Sequence, residues 1–126
     1  IDYPLMGVQP RYRTDVSITL FLNDPSEYEG GELCIKTPYG EKDFKLPAGS
    51  ALLYPASSRH SVKEVKSGTR LVAVTWLQSM VRNPECREIL FQLAKARDLL
   101  ASDTESEAYK RVETGYANLV RLWADV

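Results

Sequence analysis

At 126 residues the chain is long enough to bury one sizeable core and too short for several domains. Sixteen Lys and Arg against seventeen Asp and Glu give a formal charge of −1 with no basic block, which argues against nucleic acid or an acidic membrane as the main partner. No run reaches the ~18 apolar residues of a membrane span, and no signal-peptide pattern is present. Cys34 and Cys86 lack paired spacing, so two buried thiols in a reducing compartment, the cytoplasm, are expected rather than a disulfide or zinc site.

Residues Ile1 to Arg13 show no periodicity and read as loop, and the chain opens on Ile1 instead of Met, in mid-phrase. Val16, Ile18, Leu20 and Leu22 alternate with Ser17 and Thr19, the pattern of a half-buried strand ending at Asn23. Asp24 to Gly31 is an acidic, turn-rich connector: a solvated loop tip, or a substrate-side loop that Gly30 and Gly31 let turn sharply. Short strands follow over Glu32–Lys36 and Lys42–Leu46, then an apolar and central one over Ser50–Tyr54. About six short strands at this spacing imply an antiparallel sandwich or barrel, with a jelly-roll the natural choice.

The next stretch holds the only histidine. Runs over His60–Val65 and Thr69–Leu77 flank Lys66-Ser67-Gly68, which reads as a β-hairpin with a three-residue loop. Pairing Val65 with Thr69 places His60, Val62, Arg70, Val72, Val74 and Trp76 on one face. A metal-capable imidazole and a permanent cation then stand ~13 Å apart along the strands, a gap that a short dicarboxylate bound to a metal at one end could span. Arg suits the far end because its planar fork takes a carboxylate through two parallel hydrogen bonds. Each residue has an ordinary role as well: a lone His is usually a hydrogen-bonded polar residue, Arg70 could pair with Glu64 across the hairpin, and Trp76 could be core.

Beyond Leu77 the period changes. Asn83 and Pro84 mark a helix start, and Cys86, Ile89, Leu90, Leu93 and Leu100 form its apolar stripe. Ser102 to Glu105 is a capping-box pattern for a second helix with Ala108, Val112, Tyr116, Leu119 and Trp123 inward. The division expected is 1–78 for the β core and 79–126 for a helical hairpin packed on it.

These residues carry a family likeness over essentially the whole chain. The phrases are Arg13-Thr-Asp-Val-Ser-Ile-Thr-Leu-Phe-Leu-Asn23, Tyr28-Glu-Gly-Gly-Glu-Leu33, Leu46-Pro-Ala-Gly-Ser50, Leu53-Tyr-Pro55, His60 with Arg70 ten residues on, Trp76-Leu-Gln-Ser79, and Asn118 to Ala124. In order and spacing the chain resembles the C-terminal part of PKHD-type hydroxylases, in the prolyl-4-hydroxylase-like group of Fe(II)/2-oxoglutarate dioxygenases. The resemblance implies a mainly β fold with C-terminal α: an incomplete double-stranded β-helix (jelly-roll) lacking its N-terminal strands, followed by an α-helical hairpin.

It further implies an Fe(II) site of two histidines and one carboxylate. His60 matches the later His and Asp2 the carboxylate, while the first His would stand immediately before Ile1, where this chain has none. Arg70 matches the residue that binds the far carboxylate of 2-oxoglutarate. The implied reaction hydroxylates a small-molecule or peptidyl substrate and converts 2-oxoglutarate to succinate, with ascorbate an accessory cofactor. With two of three ligands, weak iron binding and impaired activity are expected. On strand parity Ile18, Leu20, Leu22, Tyr54, Val72, Val74 and Trp76 line the barrel, and Tyr54, Trp76 and Leu20 are the pocket candidates. Open edges and an uncovered apolar face point to a homo-oligomer. The other class of answer is a non-catalytic jelly-roll module that binds an organic acid or a protein partner.

Overall fold

The computed structural model describes residues 13–125, so Asp2 lies outside the described residues. The chain divides between Gln78 and Ser79 into two compact units. Among the described residues the first holds eight strands: β1 (Val16–Phe21), β2 (Tyr28–Gly30), β3 (Leu33–Thr37), β4 (Gly40–Phe44), β5 (Ala51–Pro55), β6 (Arg59–Val62), β7 (Val65–Gly68) and β8 (Val72–Leu77). They form a sheet of order β5-β1-β8, a sheet of order β4-β3-β6 and a two-stranded ribbon β2-β7, all antiparallel. Tyr54 of the first sheet packs with Leu33 and Ile35 of the second, flanked by Phe44 and Leu52, so the two sheets share one core in jelly-roll fashion. This is a mainly β fold followed by two helices.

The strand at Val16 forms as its alternation predicts, but the opposite face is buried. Ser17, Thr19 and Phe21 point into the core, whereas Val16, Ile18 and Leu20 are half-buried on the outside and Leu22 is exposed. Alternation shows that a strand has two unlike faces; it does not say which one meets the other sheet. The inner face takes its bulk from the flanking strands. Ser17 stands between Tyr54 and Trp76, and Thr19 between Leu52 and Val74, so the middle positions are small. The outer face carries Val16, Ile18 and Leu20 between Leu53 and Pro55 on one side and Ala73 and Leu77 on the other. Leu20 therefore leaves the set of pocket residues, together with Ile18 and Leu22. The Ser50–Tyr54 strand, expected to be central, is an edge of its sheet.

The hairpin predicted around Lys66-Ser67-Gly68 does not form. Its two runs become three strands in three different sheets: β6 pairs with β3, β7 with β2 and β8 with β1. Gly68 does take a positive φ of 75°, as the loop reading required. The reason is different, since a Cβ there would lie 2.2 Å from the Glu27 carbonyl oxygen in the ribbon with β2. Non-local backbone pairing outbids a three-residue loop whose only local signal is one glycine.

On the outer face of the second sheet, Cys34 lies opposite Asp43 and Lys36 opposite Glu41. Lys36 holds Glu41 at 2.9 Å, Lys63 holds Asp43, and the Cys34 thiol donates to Glu41 at 3.5 Å. The Lys36 hydrogen bond and then that of Cys34 hold the Glu41 carboxyl below its ordinary range, and the Lys63 hydrogen bond does the same for Asp43. Burial pushes the Cys34 thiol up, and the Asp43 and Glu41 carboxylates push it further. Carboxylates with lowered values stabilise the fold at neutral pH, and this is lost as pH falls through those values. Acid unfolding followed by circular dichroism is expected to show a drop in stability below the ordinary carboxylate range, and Lys63→Met to flatten it.

In the second unit, α1 (Pro84–Leu100) starts where Asn83 predicts, its side chain accepting from Glu85 N at 2.7 Å and Cys86 N at 3.2 Å. Helix α2 (Glu107–Trp123) starts later than the Ser102 box: Ser106 is the cap, accepting from Tyr109 N. Of its expected inner face Val112, Tyr116, Leu119 and Trp123 are half-buried, while Ala108 is exposed. The hairpin is tied by Arg97, which bonds Glu113 at 3.3 Å and lies 4.9 Å from the Tyr116 ring. Both cysteines are free, Cys34 buried and Cys86 half-buried. Among the described residues no helix is long and apolar enough to cross a membrane.

Candidate active site

His60 enters on β6 directly opposite Ile35, on the side of the second sheet that faces the core. Its ring meets Tyr54 edge-on, centroids 5.1 Å apart and planes at 65°, so one aromatic contact joins the two sheets beside the imidazole. Nδ1 lies 2.9 Å from the Ser58 carbonyl oxygen. A carbonyl can only accept, so Nδ1 carries the proton and Nε2 of the neutral ring keeps a free lone pair. The residue is exposed, so an ion can reach that nitrogen. This is the arrangement that a ligating histidine needs.

Arg70 comes from the segment leading into β8, and a residue that sequence reasoning treated only as a strand end fixes it there. The Asn23 side chain donates to the Thr69 carbonyl at 2.7 Å and accepts from Leu71 N at 3.1 Å, clamping the backbone on both sides of Arg70. Leu22 N adds a bond to the Leu71 carbonyl at 3.0 Å. The guanidinium lies 5.9 Å from the ring centroid of Phe21, which is fully buried. The alternative ion pair with Glu64 is not found among the described residues, and the Glu64 backbone carbonyl accepts from Gly31 N at 3.0 Å. Nε of Arg70 is buried and has no hydrogen-bond partner among the described residues.

The packing beside Arg70 leaves no room for a side chain at residue 31. Gly31 is buried with φ of 70°, and a Cβ built on it would stand 3.0 Å from Arg70 Cδ, 3.0 Å from Val65 Cγ2 and 3.1 Å from Tyr28 Cε2. Gly31 precedes β3 by two residues, and Ile35 lies four further along, opposite His60. Gly31 thus meets the Arg70 side chain and Ile35 pairs with His60 four residues on in the same stretch of chain.

Of the remaining residues singled out in the sequence, Tyr54 is buried against His60, and Trp76 is half-buried on the same inner face with Ser17 between them. Leu20 faces outward, and Asp2 falls outside the described residues. Among the described residues no three His, Cys, Asp or Glu side chains gather to hold a metal. The residues fit a dicarboxylate at its Arg70 end, where the buried Nε lacks an acceptor among the described residues. For a metal they offer the free Nε2 of His60. Asn23, whose side chain clamps the backbone on both sides of Arg70, is the residue that the sequence reading missed, and its signal was an Asn closing an apolar strand.

Comparison with known proteins bears on the same segment. Residues 2–78 match the family model described as the 2OG-Fe(II) oxygenase superfamily. A PKHD-type hydroxylase of Crocosphaera subtropica is 47% identical over 125 residues, which cover 98% of this chain and 56% of that protein. One from Acaryochloris marina is 50% identical over 126 residues, 99% of this chain and 56% of its own length, and one from Polaromonas sp. is 47% identical over 122, 96% and 54%. The chain thus spans about half the length of the curated relatives it matches. The family match takes in the whole stretch from β1 to β8, His60 and Arg70 included, and on it the chain belongs to the 2OG-Fe(II) oxygenase superfamily.

Proposed function

We propose that this chain is the 2-oxoglutarate-binding part of an Fe(II)-dependent hydroxylase, with Arg70 holding the far carboxylate of 2-oxoglutarate and His60 and Asp2 as iron ligands. The observation that carries the reading is a half-buried arginine whose Nε is buried and unpartnered among the described residues, together with an exposed imidazole whose Nδ1 is tied to the Ser58 carbonyl and whose Nε2 is left for a ligand. Fe(II), when bound, supplies the oxygen-activating chemistry that couples conversion of 2-oxoglutarate to succinate with hydroxylation of a small-molecule or peptidyl substrate. The chain's own part is positional. Arg70 fixes one end of the co-substrate, Ser58 keeps His60 in the ligating tautomer, and Tyr54 with Trp76 gives the inner face an apolar lining that limits water. Ascorbate as accessory reductant, the cytoplasm as location (supported by two free thiols) and self-association through the open outer face of β5-β1-β8, to be checked by sedimentation, belong to the same reading.

The test is an anaerobic titration of the chain with Fe(II) and then 2-oxoglutarate, followed by visible absorption. A weak charge-transfer band that His60→Ala abolishes is the expected result. 2-Oxoglutarate binding that is independent of metal and of His60 would make the chain an organic-acid binding module instead.

A further inference from the structure

The connector between β1 and β3 is tied on two sides, and one of the ties is a lysine. Toward β7, Gly31 N bonds the Glu64 carbonyl at 3.0 Å, and Tyr28 stands opposite Gly68. Toward the segment between β4 and β5, the Asp24 side chain accepts from Ala48 N at 3.0 Å, and half-buried Lys45 reaches Tyr28. The Lys45 ammonium donates to the Tyr28 carbonyl at 2.7 Å and lies 4.1 Å from the ring centroid of the same residue, which is only 5% exposed. One cation thus grips one residue twice, by its backbone and by the π face of its ring.

Packing passes that grip on. A Cβ at Gly31 would meet Tyr28 Cε2 at 3.1 Å, and Arg70 Cδ and Val65 Cγ2 at 3.0 Å each. Ring edge, arginine stem and valine methyl therefore close on one glycine, and in such a crowded spot a shift of the ring is felt by the stem. Asn23 holds the backbone on both sides of Arg70 but leaves its side chain to these neighbours. A long side chain that is loose in the free protein must be ordered when a ligand binds, at a cost in affinity. We propose that Lys45 is a positioning residue. By holding Tyr28 against Gly31 it keeps the Arg70 stem in one conformation, so that the guanidinium is ordered before the far carboxylate of 2-oxoglutarate arrives. The proposal rests on the reading of Arg70 given above and adds to it a residue that touches no ligand.

The test compares Lys45→Met, Lys45→Arg and Arg70→Ala by calorimetric titration of the metal-loaded chain. The ligands are 2-oxoglutarate and 2-oxovalerate, the analogue in which a methyl replaces the far carboxylate. Methionine keeps an apolar stem and loses both grips on Tyr28. Because ordering one long side chain costs about 2–10-fold in affinity, 2-oxoglutarate binding should weaken by that factor in Lys45→Met. Binding of 2-oxovalerate should not change, and the Gly31 amide should exchange faster with deuterium. Lys45→Arg keeps a donor and a cation for the ring and should recover most of the affinity. Undiminished 2-oxoglutarate affinity or unchanged Gly31 exchange in Lys45→Met, beside a large loss in Arg70→Ala, overturns the role of Lys45 and leaves that of Arg70 standing. Equal losses for both ligands, or a collapse of the urea midpoint in Lys45→Met, also overturn it, since Lys45 would then be holding the whole fold. An Arg70→Ala chain that binds both ligands as the parent does removes the Arg70 reading, and the role of Lys45 with it.

Discussion

Replacing Arg70 with methionine is expected to lower 2-oxoglutarate affinity by ~10–100-fold while leaving the ligand-free chain at least as stable as before. The two effects have opposite signs for one reason. In the free chain the guanidinium sits over Phe21 with a buried Nε that bonds nothing among the described residues. Such a group costs ~1–3 kcal/mol, and a flexible apolar side chain of similar length removes that cost while keeping the packing. A carboxylate arriving at Arg70 meets a cation whose backbone Asn23 already holds at Thr69 and Leu71. It therefore gains two charge-assisted bonds with little further ordering. Arg70→Lys should recover only part of the affinity, since an ammonium lacks the planar fork. Metal binding at His60, which is held by its pairing with Ile35 and by the Ser58 carbonyl and not by Arg70, should be unchanged. Urea denaturation gives the first quantity and calorimetry with 2-oxoglutarate, then with Fe(II), the others. Parallel losses of stability, co-substrate affinity and metal affinity would mean that Arg70 is structural.

What could be read from the sequence divides by range. Local signals held: Asn83 with Pro84 starts a helix, and short strands interrupted by Gly and Pro give two packed sheets. Pairing did not. The reading joined His60–Val65 to Thr69–Leu77 across Lys66-Ser67-Gly68, whereas the backbone from Lys63 to Gly68 is taken by the connector. Lys63 N bonds the Glu32 carbonyl at 2.9 Å, Gly31 N the Glu64 carbonyl, and Gly68 lies opposite Tyr28. No local rule reports a partner more than thirty positions away. Burial of β1 failed for a related reason, because Ser17 and Thr19 are inner residues only by virtue of the large neighbours on β5 and β8. His60 and Arg70 could be singled out by type and spacing. Asn23 could not, since its part lies in bonding Thr69 and Leu71 more than forty positions on, and that becomes visible only with the neighbours in place.

The second large effect is expected at Phe21. With Leu33 it is the largest side chain fully withdrawn from solvent, and it stands opposite Val72 on the inner face of the first sheet. Its backbone is held by Ser50 at 2.9 Å and Gly49 at 2.8 Å, so substitution deletes the ring and spares the strand. Phe21→Ala should cost ~3–5 kcal/mol, comparable to the ~2–5 kcal/mol of Leu33→Ala, and a marginal fold loses most of its stability in either case. The informative comparison uses milder variants. Phe21→Leu keeps much of the volume but removes the aromatic face beneath the Arg70 guanidinium, whose Cζ lies 5.9 Å from the ring centroid. It should therefore weaken 2-oxoglutarate binding by several-fold, on the order of the ~1 kcal/mol of such a contact. Leu33→Val trims the same core and touches no part of the guanidinium, so it should lower the urea midpoint and leave affinity alone. If the two variants lose affinity in proportion to lost stability, the ring matters only as filling, and Arg70 is positioned by the Asn23 clamp alone.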